Sequence, residues 1–486
     1  MNKIAKGFLL GIMVLGLQVV TQTALSQEVP KDKQLCSQIN RSYNNQSYAG
    51  CRSDYETAFE YTVRFLPRLQ TWVAQIASQH SGHVNTLIGP DGMGPEYKAV
   101  VAINDDTLYT SATMDLTDGP QILTLPTYQY SYSIIQLDGF GTILDTGLVP
   151  NTVGGTYALV GPNFTGVLPN GVTEIKVPQN WTQLAIRIDK YSNNGGVYTD
   201  VQTDAEDFRT SVQLKPLSEW MNNPNGGATI VLPLSSFGTS IKNLVDLLAQ
   251  TQTKSLLKTM QVITASKSTT PLSTDDNALI HDFNVRFAIA KKRNSLSKII
   301  AGAKAGHAAV IKRWNTHIIG NNWVHFNNMG NWGAQYLDRA AGNEYIQYGN
   351  KRQTAYYAQA FLDDKNNFLT GAANKSYTIT FTKAQIPTYT RFWSFTAYTG
   401  NAVELVPNSF DKYVVASYTP DLVTNPDGSI TIYLSEMPPS NTALIPNWLP
   451  LPSNKFSVML RVYGPTNKAK TGIYIPPAVI ATKKVR

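Results

Sequence analysis

The sequence predicts an α+β, β-rich chain with an N-terminal antiparallel β-meander domain, a helical middle segment and a C-terminal β-sandwich. Three observations carry this. Apolar and polar residues alternate through 98–189 and again beyond 376, the period-two pattern of half-buried strands. Between them, over 241–314, apolar spacing changes to three and four, the period of an amphipathic helix. The 486 residues are 42% hydrophobic, 10% aromatic and only 15% charged, which supplies several cores and is unlike a disordered chain. Gly (34) and Pro (26) are scattered and no heptad persists, so a fibre is excluded; two cysteines exclude a zinc-cluster protein.

Residues 1–26 read as a secretory signal peptide. Lys3 and Lys6 give the positive start, and FLLGIMVLGLQVV is an apolar run of about 13 residues, short of the roughly 20 that span a bilayer. Ala24-Leu25-Ser26 supplies the small residues read by a signal peptidase. The mature chain is therefore expected in the periplasm or outside the cell, with no transmembrane span. Residues 27–52 form a leader containing Cys36 and Cys51. In an oxidising compartment these two are expected to pair, and a loop of that size contributes about 3 kcal/mol.

The N-terminal α+β domain is placed at 53–215. Ser53-Asp54-Tyr55-Glu56 is a capping-box pattern, followed by Phe59, Val63, Leu66, Leu69, Val73 and Ile76 at helical spacing. Pro67 is expected to split or kink that helix. After LIGPDGMGPE come AVVAI, TLYTSATMDL, QILTLP, SYSIIQL, TYALVG, TEIKV and TQLAIRI, strand candidates set apart by turn signals.

Residues 216–375 read as mainly helical. Leu244, Leu247 and Leu248 mark one apolar face; Leu296, Ile300, Ala303, His307, Val310 and Trp314 mark another, and 336–362 is a third candidate. The sandwich is placed at 376–475, with SYTITF, RFWSFTAY, KYVVASY, SITIYL and KFSVMLRVYG as strands. Alternation puts Ile430, Ile432, Val458 and Leu460 on buried faces. Residues 476–486 read as a basic tail.

The net charge is +8, or +6 once Lys3 and Lys6 leave with the signal. No Asp or Glu occurs over 283–337, while Arg286, Lys291, Lys292, Arg293, Lys298, Lys304, Lys312 and Arg313 are all basic. With no recognised nucleic-acid module beside it, this stripe reads as a solvated helix face or a contact with anionic envelope material, and no nucleic-acid partner is expected.

The sequence has no P-loop, HExxH, GxSxG or complete GxGxxG pattern. Gly139-Phe140-Gly141 lies between strands and reads as a turn. The densest polar cluster is Asn104-Asp105-Asp106-Thr107 with Tyr109, and Asp138 and Asp145 follow. Carboxylates at strand ends could act as a general acid and base, hold a cation through oxygen, or simply bond their own backbone in turns. His80 and His83 fall near a helix end, and His307 sits in an apolar stripe as a core histidine would. His317 and His325 lie in WNTHIIGNNWVHFNNMGNW, whose aromatic and amide groups suit either a sugar-stacking surface or a packed interdomain loop.

The run NDDTLYTSATMDLTDGPQILTLP from Asn104 and GTYALVGPNFTGVLPNGV from Gly155 resemble a bacterial family known by paired domains of unknown function, numbered twelve-fifty-four and twelve-fourteen. SYTITF, RFWSFTAY, LVPNSFDKY, NPDGSITIYL, NWLPLP and FSVMLRVYGP follow in the family's order, with WGAQYLDRA around Arg339 between the halves. The early YGYP pattern is matched only loosely, by FEYTVRFLP. The resemblance implies a jelly-roll-like sandwich and self-association as a homo-oligomer. It implies no established reaction.

Two functional expectations follow. In the first, an exported protein binds a small polar or glycan ligand in a cleft lined by Asn104, Asp106, Tyr109, Trp393 and Trp448, with no cofactor or metal. In the second, Asp106 and Asp138 are the acid and base of a hydrolase acting on a glycan or ester, which requires the two carboxyls to converge.

Overall fold

A computed structural model describes residues 52–225, 229–234, 240–266, 270–372, 375–400 and 402–482. The expected signal peptide, the expected Cys36–Cys51 pairing and the chain beyond 482 lie outside the described residues. Helix α1 (Asp54–Ser81) opens with the expected capping box: Ser53 Oγ accepts from the Glu56 amide at 3.2 Å and Glu56 accepts from the Ser53 amide at 2.8 Å. Pro67 does not split it. The helix continues through the proline, and every residue from Tyr61 to Val73 is buried, so packing on all sides offsets the missing backbone hydrogen bond.

The N-terminal domain pairs two sheets. The first has the order β11 (Ile230–Leu232), β1 (Ile88–Pro90), β2 (Thr107–Asp115), β7 (Trp181–Asp189), β4 (Tyr132–Leu137). The second runs β10 (Gln213–Pro216), β3 (Gln121–Leu125), β5 (Gly155–Val160), β6 (Thr173–Lys176). Met114, Leu123, Ile134, Leu159 and Ile186 fill the space between them with Phe208 of helix α2 (Gln202–Ser211). Most pairings are antiparallel; β1 with β11 and β5 with β6 are parallel. A hairpin, β8 (Tyr191–Asn194) and β9 (Val197–Asp200), projects from the end of β7, and the short helix α3 (Leu217–Asn222) follows β10.

The middle is helical as expected: α4 (Ile241–Thr251), α5 (Thr253–Ala265), α6 (Thr274–Lys292), α7 (Ser297–Thr316) and α8 (Tyr336–Tyr345) pack with α1 in one core. The third helical candidate ends at Tyr345, because 355–360 is strand β14 (Ala355–Ala360), paired with β20 (Phe456–Pro465) in the middle of a sheet. That sheet runs β12 (Ile318–Gly320), β13 (Trp323–Val324), β14, β20, β16 (Tyr389–Thr399), β17 (Val414–Ala416). Its partner in the sandwich is β19 (Trp448–Pro450), β18 (Ile430–Ser435), β15 (Ser376–Phe381), β21 (Ile480–Thr482), so residues assigned to the tail add an edge strand. The short helix α9 (Asn467–Thr471) follows β20. Ile430, Ile432, Val458 and Leu460 are buried between the sheets as alternation requires.

The larger C-terminal sheet is covered on both faces. Along β16, Trp393, Phe395 and Ala397 enter the sandwich core, whereas Phe392 and Tyr398 pack into the helical core. This alternation aims the intervening Ser394 and Thr396 at the rest of the molecule. Among the described residues, no helix is long and apolar enough to cross a membrane.

Helices α1 and α7 meet through glycines. A Cβ at Gly302 would sit on the Tyr55 carbonyl oxygen, and one at Gly306 would lie 2.7 Å from the Phe59 carbonyl oxygen, one turn along both helices. Gly302→Ala is therefore expected to destabilise the fold by about 1–3 kcal/mol despite alanine's better helix propensity. Urea unfolding would measure it, and an unchanged or raised midpoint would show that this contact is not close.

Candidate functional site

The Asn104–Tyr109 cluster lies where the N-terminal domain meets the larger C-terminal sheet. The preceding 99–103 is not a strand: Ala102 takes a positive φ of 55° and its amide donates to the Val403 carbonyl at 3.1 Å. Val101, Ala102 and Ile103 are buried, but the backbone here is satisfied by the C-terminal half. The Ala102 carbonyl accepts from Arg461 at 2.5 Å and the Ile103 carbonyl from Tyr398 at 2.6 Å. Asn104 Oδ1 then accepts from the amide of Asp106 and the hydroxyl of Thr107, both at 3.1 Å, while its Nδ2 donates to Tyr463 at 2.5 Å. The cluster both closes its own turn and meets a partner.

Asp106 is fully buried. One carboxylate oxygen accepts from Ser394 at 2.7 Å and the other from Tyr418 at 2.5 Å. Burial pushes its pKa up; Arg461 and the two hydroxyl donors oppose that. The Tyr418 phenol is driven well above its ordinary value by burial and by Asp106, so it remains a donor. Beside this network Arg391 grips Asp189 with two donors, Nε at 2.7 Å from Oδ2 and Nη2 on Oδ1. The β8–β9 hairpin adds Tyr198, whose hydroxyl is hydrogen-bonded to those of Tyr389 and Ser417 at 2.9 and 2.8 Å, and Tyr191, stacked 4.0 Å from Tyr418.

The remaining candidates are distributed elsewhere. Tyr109 is partly buried, with Arg187 5.4 Å from its ring centre. Trp393 is next to Ser394 in sequence, but its ring points into the sandwich core against Phe381 and Phe395. Trp448 is 1% exposed, donates to Ser435 and meets Phe410 edge-on. Asp138 accepts from the Phe140 and Thr142 amides at 2.8 Å, closing the Gly139-Phe140-Gly141 turn. Asp106 and Asp138 share no hydrogen-bond partner. Asp138 instead borders a narrow cleft with only about 20 Å³ of free space, room for about one water, with Arg68, Trp72, Gln75, Trp181 and Gln183.

A roomier cleft of about 440 Å³ opens where the β3–β4 connection meets α2, lined by Tyr128, Tyr130, Asp204, Asp207, Phe208 and Ser211. Neither cleft was legible as such, because their linings come from segments far apart in sequence.

The one grouping of metal-ligand type among the described residues is Asp246, His307 and Glu344, whose ligand atoms lie within 4.8 Å of one another. Lys242 already supplies a cation there, 2.7 Å from Asp246 and 3.0 Å from Glu344. His307 Nε2 is 3.0 Å from Asp246 Oδ1, although the two make no aligned hydrogen bond. Burial disfavours the charged ring, but Asp246 and Glu344 outweigh it and raise its pKa to about 9. Two cations face two carboxylates, so the group is balanced from within the chain.

Fold and junction together define a class: two β-domains locked across a helical core by buried Arg–Asp and Tyr–Asp contacts. Family models for Protein of unknown function (DUF1254) and Protein of unknown function (DUF1214) match residues 84–216 and 354–467. The chain belongs to the family in which these two domains are paired. It is similar to the VPA0106 protein from Vibrio parahaemolyticus, with 19% identity and a TM-score of 0.55 over 89% of this chain and 100% of that one, a likeness of fold. A putative uncharacterized protein from Burkholderia cenocepacia aligns over 98% of this chain and 97% of that one, at 14% identity and a TM-score of 0.43. No curated protein matches the chain.

Proposed function

We propose that this is an exported protein that binds a small hydroxyl-rich ligand, a saccharide or similar polar molecule, in the cleft between the β3–β4 connection and α2. The supporting observation is the chemistry of that 440 Å³ space. Its size falls in the usual range for small-molecule sites. Tyr128 and Tyr130 meet edge to face at 5.5 Å, which offers ring surface to the C–H face of a sugar. Asp204 and Asp207 are exposed and one turn apart on α2, where their oxygens can accept from ligand hydroxyls. The Tyr128 hydroxyl has no protein partner, and burial raises its pKa, so it stays a donor. The signal-like 1–26 segment supports export.

The hydrolase reading has less support. Both oxygens of Asp106 are engaged by Ser394 and Tyr418, and Asp138 is committed to its turn.

The test uses the chain purified from the periplasm of an expressing bacterium, titrated calorimetrically with a panel of mono- and oligosaccharides. Binding should be saturable, and Tyr130→Ala and Asp207→Asn should each weaken it by about tenfold, or ~1.4 kcal/mol, at unchanged thermal stability. No saccharide binding at millimolar concentration, or equal affinity in the variants, would defeat the binding reading. An intact mass retaining residues 1–26 would defeat the export reading.

A further inference from the structure

The 440 Å³ cleft between the β3–β4 connection and α2 carries a negative charge that no described residue balances. Asp204 and Asp207 line it, and no Lys or Arg does. Both are exposed, and neither carboxylate makes a hydrogen bond or ion pair with a described residue. Residues 204, 207, 208 and 211 form one face of α2, at the spacing of successive helical turns. The other charges of this helix lie on its opposite face. Glu206 accepts from Arg209 Nη2 at 2.5 Å, and Arg209, 1% exposed, donates Nη1 to the Pro90 carbonyl at 2.5 Å. Just before the helix, Asp200 accepts from the Gln202 amide at 2.9 Å.

Helix chemistry does not account for the free pair. Asp204 lies in the first turn of α2, where the dipole favours an acid. Asp207 is one turn further along and faces it across three positions, a spacing at which like charges repel and weaken the helix.

The rest of the lining is mostly aromatic. Tyr128 and Tyr130 stand at 80° to each other with ring centres 5.5 Å apart, and Phe208 lies 4.4 Å from Tyr128. A ring face is the negative pole of its quadrupole, so it attracts a cation as the carboxylates do. The Tyr128 hydroxyl oxygen is buried with no protein partner, and its lone pairs are free to accept. Burial, followed by the negative charges of Asp189 and Asp204, raises the pKa of this phenol, so the potential around it is negative.

A bare divalent ion does not suit this lining, because it needs about six oxygen ligands and the ring faces supply none. An organic cation does, with its N–H groups on the carboxylates and its C–H groups on the rings. We propose that the ligand of this cleft is a hydroxyl-bearing amine, an amino sugar or a molecule of like chemistry, bound as its ammonium form between Asp204, Asp207 and the corner made by Tyr128 and Tyr130. This rests on the reading of the cleft as a saccharide site and adds a charge requirement to it.

The purified full chain is titrated calorimetrically with glucosamine, at a mildly acidic pH that keeps its amine protonated, and with the uncharged sugars glucose and N-acetylglucosamine. Glucosamine should bind about tenfold or more tightly than either neutral sugar at low salt, and the margin should shrink as sodium chloride is added. Asp204→Asn/Asp207→Asn should bring the three to within about twofold of one another. Glucosamine binding with no detectable binding of the neutral sugars supports the proposal. Equal affinity for all three overturns it and leaves the saccharide reading standing, whereas absence of binding by any of them overturns both. A margin that survives the double substitution, or that salt does not reduce, also overturns it.

Discussion

Replacing Asp189 by Asn is expected to lower the unfolding free energy by about 3–5 kcal/mol, the usual cost of leaving one member of a buried ion pair without its partner. Asp189 ends β7, the strand paired with both β2 and β4, and it is fully buried. Arg391, 9% exposed, comes from the other domain at an irregularity in the β16–β20 register between Tyr389 and Phe392. Asparagine retains the shape but cannot accept from both guanidinium nitrogens with a full charge, so Arg391 would remain buried and under-compensated. Because the pair joins the two β-domains, the loss should also reduce cooperativity, with the urea transition broadening or dividing. The double variant Asp189→Leu/Arg391→Met should recover much of the loss, because it removes both buried charges together. A single-variant change below about 1 kcal/mol would mean that the pair carries little of the junction.

The parts of this architecture that depend on local chemistry were legible in the sequence. The capping box of Ser53 and Glu56, the 241–314 helices, and the inward faces of Ile432 and Leu460 follow from spacing alone. The exposed basic face was legible too, since Lys291, Lys292, Arg293, Lys298 and Lys304 are all solvated. The misread segments are those whose partners are remote. AVVAI is a short, β-branched apolar run like a buried strand, yet its backbone bonds Val403, Tyr398 and Arg461, some three hundred residues away. The continuation beyond Tyr345 resembles a helix in composition, but β20 recruits it into a sheet. Arg461 was the overlooked signal at the junction: a charge in the middle of the apolar strand SVMLRVYG requires a buried partner, and it finds the Ala102 carbonyl and Tyr398. Arg64 and Arg68 were hidden for the opposite reason, because arginines at helical spacing look like an ordinary solvated face.

Stability should also fall on the order of 3 kcal/mol between pH 6 and pH 9.5, and His307→Gln should abolish most of that slope. In the folded chain the His307 ring has a pKa of about 9, against 6.5 when unperturbed. Below pH 6.5 both folded and unfolded chains hold the proton, and the full stabilisation is present. As pH rises through this window the unfolded ring loses its proton first, and near pH 9 the folded ring follows, so the contribution disappears. The size follows from about 1.4 kcal/mol per pKa unit. Lys242 does not share in the slope, because despite burial Glu344 and Asp246 hold its ammonium above its ordinary pKa. Asp246 is affected at the acid end instead. Burial opposes its charge, but His307 and Lys242 prevail and hold its pKa below the usual carboxylate value, so its contribution is lost only as pH falls through that lowered range. The cluster joins α4, α7 and α8, and Gln70 of α1 donates to Glu344 at 2.9 Å, so its charge state is read by the whole helical core. Urea unfolding at pH 6, 7.5 and 9.5 distinguishes the cases. Parallel profiles for the wild type and His307→Gln would show that the ring titrates alike in both states and that Lys242 alone neutralises the two carboxylates.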